Sequence, residues 1–97
     1  MELVKVHSLD FFNELSEHVI LRIYSSKEVI KPSNWVENKE HYDYDLWYLH
    51  EGQIELRINE QVHVASEGDL VLLSPKVAYT ASAQGVACIF TYVHFDF

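Results

Sequence analysis

Basic residues are scarce in this chain. Lys and Arg number seven against fifteen Asp and Glu, a formal net charge of −8. The imbalance is uneven: residues 1–40 hold seven acids and five bases, whereas residues 41–97 hold eight acids and only Arg57 and Lys76 as bases. Contact with phosphates requires clustered Lys or Arg, and no such cluster is present, so direct binding to nucleic acid or to an anionic membrane surface is not expected. Cysteine is nearly absent. Cys88 stands alone in an apolar run, which excludes an internal disulfide and reads as a small buried hydrophobe of a reducing compartment. No apolar stretch approaches the roughly 20 residues of a membrane span. No basic segment followed by an apolar run opens the chain as a secretory signal would. A soluble, cytoplasmic protein is expected. There is no glycine-rich phosphate loop, no zinc spacing and no setting for a serine or cysteine nucleophile.

What is plentiful is aromatic and apolar side chains. Six Tyr, five Phe and two Trp sit among 97 residues of which 48% are hydrophobic. A chain of this length forms one domain with a modest core, here taken as residues 1–97. The organising stretch is residues 41–73, in which apolar runs of strand length are separated by turn signals at Glu51-Gly52, Asn59-Glu60 and Glu67-Gly68. Ile54, Leu56 and Ile58 alternate with Glu55, Arg57 and Asn59, the period of two of a strand buried on one face.

Ser8 caps an expected short helix over about residues 9–16, with Leu9, Phe12 and Leu15 on one face. Strands are expected at 19–24, after which Ser25-Ser26-Lys27 turns the chain, and briefly at 28–30. The Lys31-to-Asn34 segment around Pro32 is a loop, and polar residues 37–43 lead onward. Further strands are expected at 44–50, 53–59, 61–65, 69–73, 77–82 and 86–95. Seven or eight short strands with brief connections argue for an all-β sandwich or small barrel. Both faces of the last strand are apolar or aromatic: Val86, Cys88, Phe90, Tyr92 and His94 on one, Ala87, Ile89, Thr91, Val93 and Phe95 on the other. Such a strand has to be covered on both sides. The expectation is that the parent polypeptide continues beyond Phe97 and that its continuation, or a partner, covers the outer face.

The aromatic strand, the Gly turn, the alternating strand and then Glu67-Gly68-Asp69 followed by Leu70 to Pro75 together resemble the cupin double-stranded β-helix, a jelly-roll barrel. More narrowly, DLWYLHEG, GDLVLLSP and the closing YVHFDF resemble the N-terminal sensor domain of AraC-type transcription regulators. The likeness spans roughly residues 19–97. It implies a cupin-like barrel that binds a small-molecule effector, a sugar being one model, and that pairs as a homodimer. It also implies that DNA is bound only through a helix-turn-helix region beyond residue 97.

Metal-dependent cupins carry two His, a Glu and a Gly in one motif and a further His in a second. On that pattern Lys39 and His41 take the two His positions, Asp45 the Glu and Tyr79 the last His. A transition metal wants about three imidazole, carboxylate or thiolate ligands. Lys39 repels a cation, and only His41 and Asp45 remain. No metal, no cofactor and no catalysis are therefore expected. The alternatives are a small metal-dependent cupin enzyme and a ligand-free dimerisation module whose barrel is filled by its own rings.

Strand alternation puts His41, Asp43, Asp45, Trp47 and Leu49 on one face and Tyr42, Tyr44, Leu46, Tyr48 and His50 on the other, and the resemblance to the cupin ligand positions implies that the first set faces the barrel interior. Asp45 is either a pocket group or a carboxylate bonded to backbone. In the resembled family a ring at the position of Tyr92 stacks on the bound molecule. Trp47, Tyr79, Phe90 and Tyr92 are candidate ligand-binding rings beside His41 and Asp45, with plain aromatic core packing as the alternative for each. His94 reads as a core histidine satisfied by a neighbour rather than a pocket donor. Trp35, after the proline loop, either caps a barrel mouth or, as the plainer reading, packs in the core without a functional role. His7, His18, His50 and His63 show no partner pattern.

Overall fold

The protein is described from a computed structural model in which residues 3–6 and 22–96 are placed, with side chains from residue 26 onward. Nine strands are described: β1 (Leu3–Val6), β2 (Arg22–Lys31), β3 (Val36–Lys39), β4 (Tyr44–Glu51), β5 (Gln53–Ile58), β6 (Gln61–Ser66), β7 (Leu70–Leu73), β8 (Tyr79–Ala83) and β9 (Cys88–Asp96). They form a five-stranded sheet in the order β1-β7-β4-β9-β2 and a four-stranded sheet in the order β3-β8-β5-β6. Every described pairing is antiparallel. This is the all-β jelly-roll expected from the sequence. The expected helix over 9–16, together with His7 and His18, lies outside the described residues.

The turn signals act as the sequence implied. Gly52 and Gly68 both hold positive φ angles, 88° and 87°, which a residue without Cβ adopts freely. Asn59 and Glu60 sit at φ 51° and 69° in the two-residue β5–β6 hairpin, the backbone twist such a loop needs. At the Gly68-Asp69 corner the carboxylate of Asp69 accepts from the Ser66 amide at 2.7 Å. Backbone bonds from Gly68 N to Leu49 O, 2.8 Å, and from Leu49 N to Asp69 O, 3.1 Å, pin that corner to β4. The Gly-Asp pair thus joins β6 in one sheet to β7 in the other.

Two expectations are corrected. The turn at residues 25–27 does not exist: β2 runs through it, paired with β9 from Arg22↔Asp96 to Lys31↔Cys88. Tyr24 is a bulge, the extra residue between the pairs Ile23↔Phe95 and Ser25↔His94. Ser-Ser-Lys resembles a turn because it is polar, but β2 is an edge strand, where polar residues guard against stray pairing. For the same reason residues 36–39 form a strand that reads as a loop: β3 is the edge of the smaller sheet and mostly exposed.

The main core lies between the sheets. Trp47, Leu49, Val71, Leu73, Cys88 and Phe90 from the larger sheet meet Ile54, Leu56, Ile58, Ala65, Tyr79 and Ala81 from the smaller. Trp35 belongs to this cluster, its ring centroid 5.8 Å from that of Phe90 and 6.4 Å from that of Trp47. It is a core residue rather than a lid. On the opposite face of the larger sheet, Leu46, Leu70 and Phe95 form a second buried cluster with Tyr44, Tyr48, Leu72 and Val93 packed against it. In β9, Cys88, Phe90 and Phe95 are buried, while Ile89, Thr91 and Val93 of the outer face are half-buried. Phe95 is fully buried on that outer face, its ring stacked on that of Tyr44 with centroids 5.5 Å apart. No helix among the described residues is long and apolar enough to cross a membrane.

Candidate functional site

One end of the barrel interior is left open. There a cavity of ≈ 200 Å³ is lined by Val29 and Lys31 from β2, Glu37 and Lys39 from β3, His41 from the following loop, Asp45 and Trp47 from β4, Tyr79 from β8, and Phe90, Tyr92 and His94 from β9. All six residues singled out from the sequence, His41, Asp45, Trp47, Tyr79, Phe90 and Tyr92, meet in this one cavity. The volume equals about seven waters, room for a molecule of single-ring size.

The register explains why they meet. β4 and β9 are neighbours, and their pairing sets Trp47 opposite Tyr92, Asp45 opposite His94 and Leu49 opposite Phe90. Alternation therefore sends two parallel rows of side chains to the same interior face. The apolar end of the cavity is made of rings: Trp47 and Phe90 stack with centroids 4.8 Å apart, and Tyr79 meets Trp47 edge-on at 5.8 Å. Trp47 and Phe90 are almost wholly buried, whereas Tyr92 is half-buried and presents more of its ring to the opening. The phenol of Tyr79 and Nε2 of His41 are 2.8 Å apart. Burial pushes the Tyr79 phenol up, with Asp45 and Glu37 adding to the effect, so its hydroxyl keeps its proton.

The polar end is built around Asp45, which is 2% exposed. Oδ2 lies 3.4 Å from Nε2 of His41, and Oδ1 lies 3.8 Å from Nε2 of His94. Oδ1 has no hydrogen-bond partner. Burial pushes the Asp45 carboxyl up; the Trp47 side chain, His94 and His41 pull it down, and Asp43 pushes it up further. A buried carboxylate oxygen without a donor costs several kcal/mol in an apolar site, of order 1–3 kcal/mol judged from protein substitutions. Of the two readings of Asp45, the pocket group matches the structure better than a carboxylate bonded to backbone. Asp43 accepts from Nδ1 of His94 at 3.0 Å.

Sequence reasoning undervalued His94. It lines the cavity, its ring 4.8 Å from that of His41 and 5.0 Å from that of Tyr92. Its place on the inward face of the last strand was legible, since it shares the period of Phe90 and Tyr92. What could not be read was that this row pairs in register with Asp45. Glu37 at the rim was missed as a lining residue because β3 does not read as a strand, and Lys31 because the end of β2 reads as a loop; Lys39 was noticed only as a failed ligand position. Glu37 and Lys39 are linked there at 3.4 Å.

The four positions that the cupin motifs assign to metal ligands do not suit a divalent cation. Lys39 brings a positive charge, and Tyr79 is held protonated by burial. His41 and Asp45 alone offer two ligands. Joined by His94, which lies outside those motifs, His41 and Asp45 do supply three candidate ligand atoms, all within 4.8 Å of one another.

Comparison with solved structures places the fold. A DUF861 family protein from Thermotoga maritima superposes with a TM-score of 0.66 at 15% identity, over 99% of this chain and 99% of that one. A Cupin 2 conserved barrel domain protein from Salinispora arenicola gives 0.67 at 15% identity, over 78% and 74%. A protein of unknown function from Rhizobium leguminosarum gives 0.70 at 12% identity, over 87% and 89%. At such identities the likeness establishes the cupin barrel and nothing about chemistry. No curated protein matches the sequence. The model of the AraC-like ligand binding domain matches residues 31–96, which takes in β3 to β9 and nearly every residue lining the cavity. The chain therefore belongs to the AraC-like ligand binding domain family.

Proposed function

We propose that this domain is the effector-sensing part of an AraC-type regulator. It binds a small polar molecule, with a single sugar as the model, in the cavity at the barrel mouth and performs no chemistry on it. The observation that carries the reading is the composition of that cavity. Rings of Trp47, Phe90 and Tyr92 offer faces on which an apolar ring surface can stack, and His41, Asp45, Tyr79 and His94 offer donors and acceptors beside them. Asp45 Oδ1 in particular waits for a donor that the protein itself does not provide. A hydroxyl of a bound molecule would meet that need. In this reading the domain pairs with a second copy, and DNA is contacted by a helix-turn-helix region outside this chain. The acidic balance of the chain supports that division of labour. Its lone Cys88 suits the cytoplasm.

The test is a thermal-shift screen against sugars, sugar acids and polyols. A true effector at about a hundred times its dissociation constant stabilises by about 2.7 kcal/mol. Tyr92→Ala should weaken the effect of the same compound by tenfold or more while leaving the unliganded protein folded. If no compound in the screen stabilises the protein, the ligand-free dimerisation module becomes the better account.

A further inference from the structure

We propose that His41, Asp45 and His94 bind one divalent transition-metal ion at the polar end of the cavity, with His94 supplying from β9 a third ligand that the cupin motifs do not provide. The inference rests on the same open cavity as the ligand-binding reading and adds an ion to its floor.

Three observations support it. The first is spacing. Two ligand atoms bonded to one such ion at roughly 2.0–2.2 Å stand about 3–4 Å apart. The His41 Nε2 to Asp45 Oδ2 and His94 Nε2 to Asp45 Oδ1 separations are 3.4 Å and 3.8 Å. These are too long for good hydrogen bonds and right for two pairs of ligands around a shared centre. The second is the unpartnered oxygen. Asp45 Oδ1 is buried, accepts no hydrogen bond and lies towards His94. A cation satisfies such an atom, and two imidazoles with one carboxylate are a donor set that Zn²⁺, Fe²⁺ and Co²⁺ accept.

The third is the outer arrangement of His94. Its Nδ1–H donates to Asp43 Oδ1 at 3.0 Å, which fixes the tautomer and leaves the Nε2 lone pair facing Asp45. A carboxylate behind the imidazole is the usual support of a metal-bound histidine, and it raises the basicity of the ligating nitrogen. An ordinary core histidine needs only one partner and gains nothing from a second carboxylate set beyond hydrogen-bond reach on its other side. Two features oppose the ion: the ammonium groups of Lys31 and Lys39 line the same cavity, Lys39 offset by Glu37 at 3.4 Å, and Tyr79 competes for a ligand atom. Its phenol bonds to the same Nε2 of His41 that would ligate, so binding an ion requires that contact to be given up.

The experiment uses the untagged chain, stripped with a chelator, loaded with Co²⁺ and dialysed, with metal content and visible d–d absorption as readouts. One ion per chain with clear absorption bands is the expected result. His94→Ala and the milder His94→Gln should each lower affinity at least tenfold while keeping a cooperative thermal transition. Tyr79→Phe should bind as well or more tightly, and His63→Ala should match the wild type. Wild-type protein that retains no ion overturns the proposal, as does full binding in both His94 variants. A loss in Tyr79→Phe as large as that in His94→Ala overturns the ligand assignment. Repeating the sugar screen in chelator separates the two readings: a stabilising compound found for protein that retains no ion in either condition sinks the metal site and leaves the effector pocket standing.

Discussion

Asp45 concentrates the account at the scale of single residues. Its carboxylate is buried between two mostly buried imidazoles with one oxygen unpartnered, an arrangement that costs stability and is explicable as a site feature. Asp45→Asn removes the charge at nearly constant volume. The unliganded variant should be as stable as the wild type or up to about 1 kcal/mol more stable, a rise of roughly 4–8 °C in melting temperature for a domain of this size. Effector binding should fall at least tenfold in the same variant. A destabilisation of more than about 2 kcal/mol would instead mark Asp45 as a structural anchor for His41 and His94. The resemblance to the cupin motifs and to the AraC-type sensor domain, joined to residue type and alternation, brought His41, Asp45, Trp47, Tyr79, Phe90 and Tyr92 to notice. The part of the site that stayed hidden, His94 with its two carboxylates, depends on which strands are neighbours. Asp43 and His94 are fifty-one positions apart, and no local pattern joins them.

Among the elements, the turns were the most legible and the edges the least. Glycine at residues 52 and 68 marks corners that need positive φ, and the sequence announces them. It does not announce that Gly52 also lies against the start of β9. A Cβ there would stand 2.8 Å from the carbonyl oxygen of Ala87 and 2.9 Å from Cβ of Cys88, whereas at Gly68 it would meet nothing within 4 Å. Gly68→Ala should therefore cost about 1 kcal/mol, the conformational part alone. Gly52→Ala should cost about 3 kcal/mol, since overpacking adds to it. Urea denaturation of the two variants checks the difference, and equal losses would remove the claimed contact with β9. The edge strands β2 and β3 were misread in opposite places for one reason. Polarity signals solvent, and solvent bathes both a loop and the outer face of an edge strand.

At the scale of the whole molecule, the two rows of side chains on β4 and β9 hold the barrel together at one end and form the cavity at the other. Cys88, Phe90 and Leu49 continue into the closed core the same rows that carry Tyr92, His94, Trp47 and Asp45 to the opening. Cys88 reports on the closed end. It is fully buried, and burial pushes its thiol up, the nearby Lys31 pulling the other way. In the unfolded chain the thiol ionises near pH 8.5, while in the folded protein it stays protonated to higher pH. The unfolded state then holds fewer protons, so this group's contribution to stability is intact below about pH 8.5 and declines as pH rises through the alkaline range. Urea midpoints between neutral pH and about pH 9.5 should fall more for the wild type than for Cys88→Ala, and labelling of the thiol at neutral pH should require unfolding. Equal slopes, or rapid labelling of the native protein, would show that the closed end opens.

The all-β class was legible from strand length, turns and alternation, and the jelly-roll from the resemblance of the Gly-Asp and YVHF segments to cupin motifs. The pairing order that turns a patterned sequence into a pocket was not, because it is a property of contacts distant in the chain. Mapping of a stabilising compound by amide chemical shifts tests the central claim most directly. Shifts confined to His41–Trp47, Tyr79 and Phe90–His94 are the predicted result. Shifts confined to residues away from the cavity, around Gly52, Gln53, Ser66 and Glu67, would contradict it.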